Sequence, residues 1–127
     1  MPREFKRSDR VADALQRELA ELLRTELQDP RVGMANITAV EVSRDLGVAK
    51  VFVTFIGEQD AKRREQALSA LNGAAGFLRG RLGDLIRMRT IPRLRFILDV
   101  SGERSQRVAE LIDLALASDS NKHAGSD

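Results

Sequence analysis

No cysteine, tryptophan or tyrosine occurs among the 127 residues, and there is one histidine. Without cysteine there are no disulfides and no thiolate metal sites, which fits a reducing, cytoplasmic compartment. The lone histidine, His123, sits in a small, polar C-terminal tail. A catalytic triad, a histidine metal site and a histidine general base therefore have no support. No apolar run approaches membrane-spanning length, and the N-terminus MPREFKRSDR is charged where a signal peptide is apolar. Neither a membrane partner nor a leader is expected. Five phenylalanines make up the whole aromatic content, which is little for a platform that stacks runs of single-stranded bases.

Catalytic motifs are missing as well. No stretch matches a Walker A loop or a dinucleotide fingerprint, because the glycines follow a helix rather than a strand. The 19 acidic residues fall mostly at turns and polar helix positions, as solvated surface charges do. No enzymatic activity, metal or cofactor is expected.

What is present is positive charge, unevenly placed. The formal net charge is only +2. Residues 79–95, however, hold six arginines against one aspartate, while residues 96–127 hold three basic and six acidic side chains. Charge focused in this way points to a polyanionic partner better than the total does. The focused set is Arg79, Arg81, Arg87, Arg89, Arg93 and Arg95. Guanidinium is planar, always charged and able to bind phosphate with two hydrogen bonds. The competing explanation is an ordinary charged helix flank. Helical spacing puts Arg79 and Arg81 on opposite sides of an apolar stripe, so a coherent patch needs a neighbouring strand or the N-terminus. The N-terminal cluster Arg3, Lys6, Arg7 and Arg10 supplies either a basic arm or merely a solvated end. Scarce aromatics and focused arginine together predict phosphate and shape contacts to folded RNA, with steep salt dependence.

Periodicity predicts an α+β domain. Val11, Leu15, Leu19, Leu22, Leu23 and Leu27 share a helical face from about Ser8, a candidate cap, to Gln28, ahead of Asp29-Pro30. A hairpin should follow: Thr38, Val40 and Val42 on one face, then Ala49, Val51, Val53 and Phe55, joined through Ser43-Arg44-Asp45-Leu46-Gly47. Asp60 opens a second helical stretch whose apolar face is Leu68, Leu71, Ala75, Leu78, Leu82 and Leu85 to Ile86. Gly73, Gly76, Gly80 and Gly83 interrupt it, and a break is expected between Gly73 and Gly76. Pro92 starts a third strand with Leu94, Phe96 and Leu98 inward, and Arg93, Arg95 and Ile97 outward. Ser101 can cap a last helix bearing Val108, Leu111, Ile112, Ala115 and Leu116. Residues 1–117 thus form one domain, a three-stranded sheet covered by helices on one face. Residues 118–127 are expected to be a disordered tail.

Two segments match a bare GxxG, the loop that clamps nucleotides in KH domains: Gly73-Ala74-Ala75-Gly76 and Gly80-Arg81-Leu82-Gly83. Two matches so close together show how weak the pattern is. Close helix packing or a kink is the plainer explanation.

The order and spacing of several segments resemble the ribosome-binding factor A family. They are Arg10-Val11-Ala12, Glu18-Leu19, Leu22-Leu23, Asp29-Pro30-Arg31, Ile37-Thr38 and Val40-Glu41-Val42-Ser43. They continue with Asp45-Leu46, Ala49-Lys50-Val51-Phe52-Val53, Leu78-Arg79 and Arg89-Thr90-Ile91-Pro92-Arg93-Leu94-Arg95-Phe96. The likeness spans about residues 3–115. It implies a type II KH-like fold, α-β-β-α-kink-α-β with a C-terminal helix, in which an Ala-x-Gly kink replaces the GxxG loop. Ala74-Ala75-Gly76 stands at that place, which makes the GxxG ending at Gly76 a coincidence. The resemblance also implies a monomeric, cytoplasmic factor that binds the immature small (30S) ribosomal subunit and its 16S rRNA. Such a factor assists late maturation, including 5′-end processing, notably in the cold, and is released with help from a subunit-dependent GTPase. The alternative left open by the residues is an interaction module that uses its basic face on an acidic protein.

Overall fold

A computed structural model describes residues 6–27, 29–102 and 109–116. The elements run α1 (Arg7–Thr25), β1 (Ala35–Val42), β2 (Val48–Phe55), α2 (Ala61–Gly73), α3 (Ala75–Leu85) and β3 (Arg93–Leu98). The sheet order is β1-β2-β3, with β1 antiparallel and β3 parallel to β2. A parallel pair needs a crossover, and α2 with α3 provides it.

Helix α1 forms because Ala12, Leu15, Leu19 and Leu22 recur on one face, and all four are buried. It starts at Arg7, and the Asp9 carboxylate accepts the Lys6 backbone N–H at 3.2 Å. Ser8, the expected cap, is therefore already inside the first turn. The helix ends at Thr25, short of the expected limit at Gln28, which lies outside the described residues.

Strand β2 carries the centre of the core. Ala49, Val51 and Val53 are fully buried and Phe55 nearly so, whereas Lys50, Phe52 and Thr54 face the other way. In β3, Leu94 and Phe96 are buried and Leu98 packs against the core, as the alternation predicted. Strand β1 departs from its expected pattern. A register shift between Ile37 and Ala39 inserts an extra residue, Thr38. Such a bulge turns its residue off the regular alternation. Ile37, Val40 and Val42 thus pack on the core, while Thr38 is exposed and its hydroxyl meets the Phe52 carbonyl and the Asp99 carboxylate.

Asp60 caps α2 by accepting the Lys62 and Arg63 N–H groups. The expected break falls at Ala74, whose φ of −90° and ψ of 0° separate α2 from α3. Ala67, Ala70, Leu71, Leu78 and Leu82 are buried under it. Leu85, expected on that face, is 49 % exposed at the last position of α3, whereas Ile86 packs against the core.

Asn72, one turn before α3, reaches the outer edge of β3. Its Nδ2 donates to the Phe96 carbonyl at 3.1 Å, and its Oδ1 accepts the Phe96 N–H at 2.8 Å. The side-chain amide thereby replaces one missing strand partner. After β3, Asp99 Oδ1 accepts the Ser101 N–H at 2.9 Å, and Ser101, the expected cap, is itself helical. Residues 109–116 are helical, but Leu111, Ile112, Leu114 and Leu116 are all exposed and add nothing to the core. Val108 and the tail from Ser118 lie outside the described residues. No described helix is long and apolar enough to cross a membrane.

Candidate nucleic-acid interface

The six arginines of residues 79–95 divide by what they touch. Arg81 is committed. Its Nε and Nη2 donate to the two carboxylate oxygens of Glu26, both at 2.6 Å, and its Nη1 donates to Asp84 at 3.0 Å. This fork joins the end of α1 to α3 across 55 positions of sequence. The same hydrogen bonds hold the Glu26 carboxyl below its ordinary pKa and raise that of Arg81. Arg79 lies on the other side of α3 and donates from Nε to the Ile91 carbonyl at 2.9 Å. Its two terminal nitrogens are not used in that bond, and Arg79 lines a shallow groove of about 360 Å³ together with Gly76, Gly80 and Ile91.

Arg87, Arg89, Arg93 and Arg95 are exposed, and none forms an ion pair among the described residues. Arg87 and Arg89 sit in the segment that leads from α3 to β3. Arg93 and Arg95 project from β3 on the side away from the helices, as their alternation predicted. Lys6, Arg7 and Arg10 are exposed at the start of α1, the opposite end of that helix from Glu26. Arg3 lies outside the described residues. The basic side chains are therefore not one stripe: some flank α3, two line the sheet, and three open α1.

The register adds a cation that the sequence reading left out. Lys50 is the cross-strand neighbour of Arg95, and Val48 that of Arg93. Only the outward phase of β2 could have signalled it. Phe77 was also missed: it is 51 % exposed on α3, one residue past the Ala74-Ala75-Gly76 kink. Ala74 stands at the joint between α2 and α3, and Gly76 is exposed in the first turn of α3.

Close packing does not explain the glycines. A Cβ added at Gly73, Gly76 or Gly80 would meet nothing within 4 Å, and at Gly83 only the Ile91 side chain at 3.9 Å. None has a positive φ. They leave the solvent side of the α2–α3 corner low and open beside Arg79.

At the neighbouring corner, Arg31 clasps Asp29 with Nε to Oδ1 at 3.0 Å and Nη2 to Oδ2 at 2.7 Å. Together with a backbone bond, this lowers the Asp29 pKa to about 2. Arg31 thus neutralises the start of the Asp29-Pro30 turn rather than adding to a free basic surface.

Comparison with known proteins gives concordant results. Residues 7–112 match the family described as Ribosome-binding factor A. The chain is similar to ribosome-binding factor A of Teredinibacter turnerae, 56% identical over 123 residues, which is 97% of this chain and 93% of the relative. Among solved structures, it is similar to the crystal structure of ribosome-binding factor A from Thermus thermophilus. The TM-score is 0.63 at 35% identity, covering 72% of this chain and 93% of the other. It is also similar to a homology model of the Thermus thermophilus factor as fitted into a cryo-electron-microscopy map of a 30S complex of that factor. There the TM-score is 0.58 at 35% identity, over 70% and 91% of the two chains.

Proposed function

The chain belongs to the ribosome-binding factor A family, and from that premise we propose that it binds the immature small ribosomal subunit through its 16S rRNA and assists late maturation. It acts by binding, not by catalysis. The observation that carries this reading is the set Arg87, Arg89, Arg93 and Arg95, exposed and without carboxylate partners among the described residues. Uncompensated guanidinium groups repel one another and gain from a phosphate backbone, whose counterions they displace. Arg79 joins them through its two terminal nitrogens, and Lys6, Arg7, Arg10 and Arg3 form a second contact region. Arg81 supports the site from behind, since Glu26 and Asp84 hold its guanidinium. The kink at Ala74-Ala75-Gly76 aims α3, and with it Arg79, at the RNA.

The finer parts of the role are taken from what the family resemblance implies. The factor supports 5′-end processing, matters most in the cold, works in the cytoplasm as a monomer, and leaves the subunit with help from a subunit-dependent GTPase. Sucrose-gradient sedimentation of the full chain with immature small subunits tests the central claim. Co-migration at moderate salt that fades steeply as salt rises is expected. A chain that stays at the top of the gradient at every salt concentration would sink the proposal. Complexes that survive ribonuclease would instead favour the acidic-protein alternative.

A further inference from the structure

The face of the sheet turned away from the helices is ordered in rows. Ala39, Phe52 and Ile97 are cross-strand neighbours, and all three are half-buried. Glu41, Lys50 and Arg95 form the next row toward the hairpin, and Val48 with Arg93 the row beyond. Neighbouring strands lie about 4.8 Å apart, and residues two apart on one strand about 7 Å. One aromatic ring therefore lies a single row from two exposed cations, Lys50 and Arg95, with Arg93 one row further. Glu41 is the acid within these rows; on the other side of the Phe52 row stands Asp99, whose carboxylate accepts the Thr38 hydroxyl and the Ser101 N–H. None of the three cations forms an ion pair among the described residues.

Apolar surface with unneutralised positive charge along its hairpin side fits a nucleotide, with a flat base to cover the ring and a phosphate for the cations. Phe77 is more exposed, but its helical neighbour Arg81 is spent on Glu26 and Asp84. The cations near Phe52 have no ion pair among the described residues.

We infer that the open sheet face holds one unpaired nucleotide of the bound RNA, its base on Phe52 between Ala39 and Ile97 and its phosphates on Lys50, Arg95 and Arg93. This rests on the rRNA-binding reading and adds to it. Helix-side arginines grip folded RNA, while the sheet side selects a place where a base is flipped out. A single ring suffices for a single base, so the scarcity of aromatics is no obstacle.

The test uses the full chain and two RNA hairpins, one with a bulged adenosine and one fully paired. Binding to the bulged hairpin should be about 10-fold tighter, within the range of one base–aromatic stack. Resonances of Phe52 and Ile97 should shift with the bulged hairpin alone. Phe52→Leu, which keeps apolar volume and protects the fold, should remove the preference and leave affinity for the paired hairpin. Phe77→Leu should leave the preference intact, and the pair Lys50→Glu and Arg95→Glu should weaken both complexes. Equal affinities for the two hairpins, or a preference that survives Phe52→Leu, would overturn the inference. So would nuclear Overhauser contacts from Leu111 or Ile112 to Phe52 in the RNA-free chain, which would assign the face to the chain's own helix. If small subunits bind while the hairpins are not distinguished, only this inference falls. If small subunits fail to bind as well, the rRNA-binding reading falls with it.

Discussion

Replacing Asn72 with alanine probes the join between the helices and the free edge of the sheet. The Asn72 amide makes two hydrogen bonds to one residue, Phe96, whose side chain is almost completely buried. A single hydrogen bond contributes about 0.5–1.5 kcal/mol net. Two give about 1–3 kcal/mol, and because the Asn72 side chain is open to water the lower part of that range, about 1–2 kcal/mol, applies. Truncation also leaves the Phe96 N–H and carbonyl at the edge, where water can recover part of the loss. For a domain of this size each kcal/mol corresponds to about 3–5 °C in Tm. Urea unfolding followed by circular dichroism gives the midpoint and slope, and the slope should not change if the folded state is otherwise intact. Asn72→Asp separates the two bonds. The carboxylate still accepts the Phe96 N–H but confronts the Phe96 carbonyl with negative charge, so it should be no more stable than the alanine variant. A cost for Asn72→Ala below about 0.3 kcal/mol, within the ordinary scatter of surface substitutions, would refute the idea that this amide clasps β3.

Other outcomes follow from the same contacts. Gly80→Ala should stabilise the domain by about 0.5–1 kcal/mol, since alanine is the better helix former and its Cβ meets open space; a loss of urea stability would contradict that. Arg81→Gln should lower the thermal midpoint and leave small-subunit affinity unchanged, because its guanidinium serves Glu26 and Asp84; a selective loss of affinity would return Arg81 to the RNA contact set. The Asp29 carboxyl, held at about 2 by Arg31, is depressed in the folded state below its ordinary 3.8. Its contribution to stability is therefore present above the unfolded value and lost as pH falls through about 2. The difference in urea midpoint between the parent and Asp29→Asn should accordingly be constant near neutral pH and vanish at the acid end of that window.

Local pattern carried the sequence far where one rule decided the outcome. Alternation settled the inward face of β2, because Ala49, Val51, Val53 and Phe55 have no competing assignment. The glycines announced the break at Ala74, and Pro92 announced the start of β3. Reading failed where a distant partner decided. Nothing near Thr38 in the chain reveals the bulge, since it forms against Phe52 and Asp99 and shifts the register of β1 to suit them. Asn72 looked like one more polar helix residue until β3 lay beside it. Arg81 looked equivalent to Arg93 because both sit in the same basic run, and only Glu26 at the end of another helix tells them apart.

That last distinction bears on function. A run of like charges in sequence is a reservoir, and the fold decides how much of it stays free. Here the fold neutralises Arg81 and Arg31 and half-engages Arg79. It leaves Arg87, Arg89, Arg93 and Arg95 exposed, and recruits Lys50 from another strand to stand beside Arg95. The free charge is consequently spread around β3, reaching both the helix side and the open face of the sheet. A folded RNA that meets both sides must pass over the β3 edge, where Asn72 already occupies the backbone groups of Phe96. Closing that edge to another strand while leaving its arginines open would favour a polyanion over β-strand addition by a protein.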